Sequence, residues 1–176
     1  MPRFSRLIAF MIFAIGGLVG AGAIIASTEI NRATSTDAFC TSCHSMAVIA
    51  DDPVFKHSAH RINANGINTT CADCHIPKGN WFAETWAHAS TGIQDVWAEH
   101  ARGLNNDDDW NKRRGVLANE VREVMRRQSS ATCRSCHDAA SIAPHSQAGQ
   151  SAHALLRDGH MTCVDCHANV VHAAPH

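Results

Sequence analysis

The chain has 176 residues and a formal net charge of −1, which leaves room for one or two small domains and gives no basic surface for nucleic acid. Hydrophobic residues make up 45% of it, but many of them sit in one N-terminal run, so the rest is short of the large aliphatic side chains that fill a core. The excess lies in 8 cysteines and 13 histidines, residue types that hold metals and prosthetic groups, while tyrosine is absent.

Leu7 to Ala26 form an uncharged run of 20 residues, long enough as a helix to cross the roughly 30 Å hydrocarbon core of a bilayer. Arg3 and Arg6 precede it. By the positive-inside rule, residues 1–6 stay in the cytoplasm, 7–26 form the anchor in a bacterial inner membrane, and 27–176 form a periplasmic domain. The competing reading is a cleaved secretory signal that releases a soluble protein, with Ala21, Gly22, Ala23 and Ala26 as the small residues of a cleavage site. The run exceeds the roughly 7–15 apolar residues of a signal core, which favours a retained anchor.

Every cysteine falls into one of four Cys-x-x-Cys-His motifs: Cys40 and Cys43 with His44, Cys71 and Cys74 with His75, Cys133 and Cys136 with His137, and Cys163 and Cys166 with His167. Each pair is spaced to form two thioethers with haem vinyl groups, and the adjacent histidine then lies beneath the iron as proximal ligand. Zinc ribbons and redox dithiols also use Cys-x-x-Cys, but neither calls for a histidine after every pair. In an exported chain eight cysteines would otherwise become disulfides, and this regular spacing argues for haem instead. The expected fold is mainly α-helical with extensive loops, a multihaem cytochrome c wrapped around four covalent haems, plus one N-terminal transmembrane helix. Haem attachment and folding should be coupled, leaving the apoprotein largely unfolded.

The second axial position of each iron decides between closed electron-transfer haems and haems open to a small molecule. Nine further histidines are available: His57, His60, His88, His100, His145, His153, His160, His172 and His176, with Met46 two residues after His44. Supply exceeds demand, which favours closed haems, but spacing alone does not choose among them.

Between the second and third motifs the periodicity predicts two helices. The first runs from Trp81 to about Arg102, with Phe82, Thr85, Trp86, Ala89, Ile93, Val96 and Trp97 on one stripe. The second starts at the acidic run Asp107 to Asp109 and ends at Arg126 and Arg127, signs of charge that suit the two ends of a helix dipole. Trp110, Leu117, Val121, Val124 and Met125 mark its inner face. Packing on haem edges and on each other is the simplest account of both stripes.

These features together resemble the membrane-anchored tetrahaem quinol dehydrogenases of the NapC/NirT type, which include the small subunit of cytochrome c nitrite reductase. The resemblance covers nearly the whole chain: an anchor, then CTSCHSM, CADCHIPK, a helical spacer, CRSCHD and TCVDCH. It implies that His60, eleven residues before Cys71, His153, ten before Cys163, and His172, five after His167, are distal ligands. It also implies Met46 as a ligand of the first haem, leaving His44 and Met46 as alternatives there, and it does not say which distal histidine serves which haem. Relatives carry a Lys and an Asp seven residues apart beside the first haem to bind the quinol head group. Here Asp95 matches, but the residue seven earlier is His88, and Lys78 in CHIPK is a further contact candidate.

The function expected is oxidation of membrane quinol, menaquinol or ubiquinol, at the first haem, with electrons passed to a periplasmic terminal reductase of anaerobic respiration or to its cytochrome subunit. The alternative is a soluble periplasmic multihaem shuttle with a cleaved signal peptide. A homo- or hetero-oligomer is the setting expected for so short an anchored chain.

Overall fold

The computed structural model describes residues 2–101, 104 and 107–174. Arg102, the expected end of the first spacer helix, and His176, one of the spare histidines, lie outside the described residues, as do the side chains of Arg3 and Asp107. Among the described residues the architecture is all helix and loop, as the motif pattern predicts.

Helix α1 spans Pro2–Thr34, and its stretch from Phe4 is long and apolar enough to cross a membrane, with none of its apolar window buried by protein. The helix does not stop at Ala26. Ser27 to Thr34 carry it about 12 Å further at the usual helical rise. The apolar stretch and the motif-bearing part of the chain are therefore joined by continuous helix.

Four short helices follow: α2 (Asp37–Cys40), α3 (His44–Asp51), α4 (Pro53–Lys56) and α5 (Cys71–His75). Local capping explains most of them. The Thr36 hydroxyl accepts from the Phe39 N–H at the start of α2, and Asp52 does the same for Val54, with Pro53 at the first turn of α4. Helix α5 opens on a capping box in which Thr70 and Asp73 satisfy each other's backbone N–H groups. Asp73 is the second variable residue of its haem motif, so that position has a structural duty.

The spacer helices are α6 (Trp81–Ala101) and α7 (Asp107–Arg127), within a residue of the predicted bounds. Their stripes depart from expectation. On α6 the apolar face turns to solvent, with Phe82, Trp86, Ile93, Val96 and Trp97 all exposed. The inward side of α6 carries polar residues instead, since Asn31 of α1 donates to the Thr85 hydroxyl at 2.8 Å and Glu99 is 7% exposed. On α7 only Trp110 of the predicted inner face is buried, and Val121 and Val124 are exposed.

The remaining helices are α8 (Ala131–Arg134), α9 (Gln147–Arg157) and α10 (Cys163–Cys166). Helix α10 repeats the capping box of α5 with Thr162 and Asp165. Between α7 and α8, Ser129 and Ser130 both adopt left-handed backbone, with φ of 51° and 53°. The Ser130 N–H donates to the Met125 carbonyl at 2.7 Å, and its fully buried hydroxyl accepts from the Val164 N–H of α10 at 3.3 Å. This turn thus ties the third motif to the fourth. Among the described residues the buried apolar ones are few, Phe55, Ala72, Leu104, Trp110, Leu156 and Val164, which agrees with an interior built from something other than aliphatic side chains.

Candidate haem centres and electron-entry site

The four motifs lie in a chain of contacts that follows their sequence order. Cys71 lies close enough to act on Cys40 and Cys163 on Cys133, and Cys74 lies in the electrostatic field of Cys133 and Cys136. Asp37 of α2 strengthens the first link. Its Oδ1 accepts from the Cys71 N–H at 2.8 Å and its Oδ2 from Arg61 Nη1 at 2.7 Å. Burial alone would raise the Asp37 carboxyl; the Cys71 N–H and the Arg61 guanidinium overcome this and hold it below the usual carboxylate range. Arg61 in turn lies over the Phe55 ring, 4.9 Å from its centroid, and Phe55 stacks on His172 at 5.5 Å. At the far end, Arg126 of α7 bonds Asp165 at 2.7 Å.

Histidine rings face each other in three pairs. His60 stands 6.1 Å from His137, His172 stands 6.3 Å from His75, and His153 stands 6.2 Å from His167, measured between ring centroids. Two imidazoles bound on opposite sides of one metal at about 2 Å have centroids about 6 Å apart, because each nitrogen lies about 1 Å from its ring centre. The pairs therefore have the separation that one iron between them requires. His153 Nδ1 is 2.8 Å from the Gly149 carbonyl, a bond that makes Nδ1 the donor and leaves the Nε2 lone pair for a metal. Burial pushes His75 down to about 4, helped by the neighbouring His172, so this ring is neutral, the form that binds iron. His60 Nδ1 and His172 Nδ1 are buried without a hydrogen-bond partner, which marks their surroundings as a site shaped for more than protein packing. The residues present fit covalent haem.

The first motif differs in its surroundings. His44 is the first residue of α3 and Met46 the third, so the helix separates them by about 200° and only one of them faces a given iron. Helix α6 runs from the anchor to this motif. Near its start His88 meets the end of α1, with Thr34 Oγ1 at 3.2 Å from Nδ1 and Ser35 Oγ at 3.1 Å from Nε2. Burial lowers the His88 pKa from its ordinary value, against a smaller opposing pull from Glu84. Two turns on, the charge of Asp95 acts on both Cys40 and Cys43, and that of Glu99 on Cys43. Although Asp95 keeps contact with solvent, the protein packed around its carboxyl, and then the nearby Glu99, raise it above the usual range.

Lys78 is engaged elsewhere, in an ion pair with Asp73. Sequence reasoning missed Glu99, whose partner is 54 residues away, and Arg61, whose only signal is its position next to His60.

Comparison with known proteins agrees with the four motifs. Residues 3–176 match the model of the NapC/NirT cytochrome c family, N-terminal region. The chain is 35% identical over 160 residues to the cytochrome c-type protein TorY of Haemophilus influenzae, covering 89% of this chain and 42% of that protein. It is 34% identical over 175 residues to a tetraheme cytochrome-c type protein of Allochromatium vinosum, covering 98% and 91%. It is 28% identical over 181 residues to the denitrification system component NirT of Stutzerimonas stutzeri, covering 98% and 84%. The chain spans less than half the length of the TorY proteins it matches. No solved structure matches. With the family model matched over residues 3–176 and all four attachment motifs in place, this chain is a tetrahaem c-type cytochrome that belongs to the NapC/NirT cytochrome c family.

Proposed function

We propose that the chain takes electrons from membrane quinol at its first haem and passes them through the other three to a periplasmic terminal reductase. The observation that carries this reading is the span of α6, which bonds the end of the anchor through Thr85 and His88 and reaches the first motif through Glu99. Electron entry at the first motif thereby lies on the helix that packs against the extension of the anchor. Residues 1–6 are the cytoplasmic end, 7–26 the span and 27–176 the periplasmic domain in this reading.

Bound haem supplies one-electron carriers whose potentials depend on axial ligands and burial. Cys40 and Cys43, Cys71 and Cys74, Cys133 and Cys136, and Cys163 and Cys166 hold the four groups. His75 with His172, His137 with His60, and His167 with His153 are the axial pairs of the second, third and fourth haems, a choice supported by the three ring separations. Met46 rather than His44 ligates the first. Oxidising a quinol releases two protons, so the site needs bases near the acceptor. Asp95 takes one: its raised carboxyl has the basicity for the role and its solvent contact gives the proton an exit. His88, kept neutral by its burial, takes the other while its hydroxyl partners hold the ring in place. Lys78 serves the second motif through Asp73.

Anaerobic mixing of the oxidised, detergent-solubilised protein with menaquinol and ubiquinol analogues tests the proposal through the absorbance of reduced c-type haem. Rapid reduction that Asp95→Asn slows at least tenfold is expected. Four intact haems that neither quinol reduces would overturn it. Release of the protein from membranes by carbonate would favour the soluble shuttle.

A further inference from the structure

The first motif has a capping problem that the second and fourth do not share. Helices α5 and α10 begin at the first cysteine of their motifs, after a threonine that caps them together with the motif's own aspartate. Helix α3 begins instead at His44, so its N-cap is Cys43, which makes no side-chain cap bond. A haem-attachment residue occupies the one position where a local cap would stand.

Glu99 supplies the cap from another helix. Its Oε1 accepts from the Ser45 N–H at 3.1 Å and its Oε2 from the Ser45 hydroxyl at 2.7 Å. The two residues are 7% and 5% exposed. A carboxylate at this end also complements the helix dipole, and both its oxygens are satisfied, as a buried carboxylate requires. The alternative, a clasp that merely packs α6 on α3, would need no charge.

We infer that Glu99 is a positioning residue for the first haem: it fixes the first turn of α3, and so which of His44 and Met46 faces the iron, and places its carboxylate next to the motif that carries Cys43. The functional meaning of this role rests on the first haem being the entry point, but its test does not involve quinol. Redox titration with chemical mediators, followed by near-infrared magnetic circular dichroism, reads the potential and axial ligands of each haem.

Glu99→Gln keeps both hydrogen bonds, with the amide oxygen accepting from the Ser45 N–H and the amide N–H donating to the Ser45 hydroxyl. It should leave the axial signature unchanged and favour reduction of this haem on the order of tenfold, a rise of about 59 mV for a one-electron couple. Glu99→Ala should also change the axial signature of this haem and leave the three bis-histidine haems as they are. An unshifted potential in Glu99→Gln overturns the electrostatic role, and an unchanged axial signature in Glu99→Ala overturns the positioning role. If Glu99→Ala fails to assemble haem, Glu99→Gln decides the electrostatic role by its potential, and Glu99→Asp, which keeps the charge but draws the carboxylate back from Ser45 by one methylene, decides the positioning role: a changed axial signature supports it and an unchanged one overturns it. Loss of quinol oxidation with these readings intact would count against the entry site and not against Glu99.

Discussion

Replacing Asp37 with alanine removes two hydrogen bonds to a carboxylate, one from the Cys71 N–H and one from Arg61. Bonds to charged groups contribute about 1.5–3 kcal/mol each when well buried. The Asp37 and Arg61 side chains are 31% and 21% exposed, so water replaces part of what is lost, and about 2 kcal/mol in total is the expected cost. In a chain of this size that lowers the melting temperature by about 4–8 °C, to be followed by Soret circular dichroism at a fixed scan rate. The effect should depend on pH in a defined direction. The folded-state pKa of Asp37 is depressed, so its contribution is fully present above the unfolded value of about 4 and disappears as the pH falls through the lower folded value. The gap between wild type and variant should be constant from about pH 5 to 7 and close below about pH 4. A gap under about 1 °C at neutral pH, or one that persists in acid, would refute the claim that this charge-assisted link joins the first two motifs.

His172→Ala removes the ring facing His75 and should convert one haem in four to high spin while all four remain attached; an unchanged low-spin spectrum would contradict that pairing. Ser129→Gly should stabilise the protein by about 0.5–1 kcal/mol, because glycine takes the left-handed backbone without strain. Ser130→Gly should give no such gain, since it also deletes the hydroxyl that accepts from Val164; thermal melts of the two variants side by side check both statements.

Much of this could be read from local sequence. The bounds of α6 and α7 followed from 3.6-residue periodicity and from charges at helix ends, which act within a turn or two. What covers a stripe is not local, and the α6 stripe that looked like packing surface turns to solvent while Thr85 and Glu99 make the inward contacts. The facing histidine rings show the same limit. His60 precedes the second motif in sequence yet faces His137 of the third, and His172 follows the fourth yet faces His75 of the second. Only His153 faces the motif it adjoins. The resemblance named candidate ligands, but which rings face one another depends on how the loops fold back. The cap on α3 was hidden for that reason too, since Ser45 carries no mark of a carboxylate 54 residues away.

The most direct test of the central claim is magnetic circular dichroism and electron paramagnetic resonance of the fully oxidised protein. Three bis-histidine haems and one methionine-ligated haem, the latter altered by Met46→Leu and the former reduced in number by His60→Ala, His153→Ala or His172→Ala, is the predicted result. Four bis-histidine haems, or a first haem indifferent to Met46, would contradict the account of a distinct entry haem feeding three closed ones.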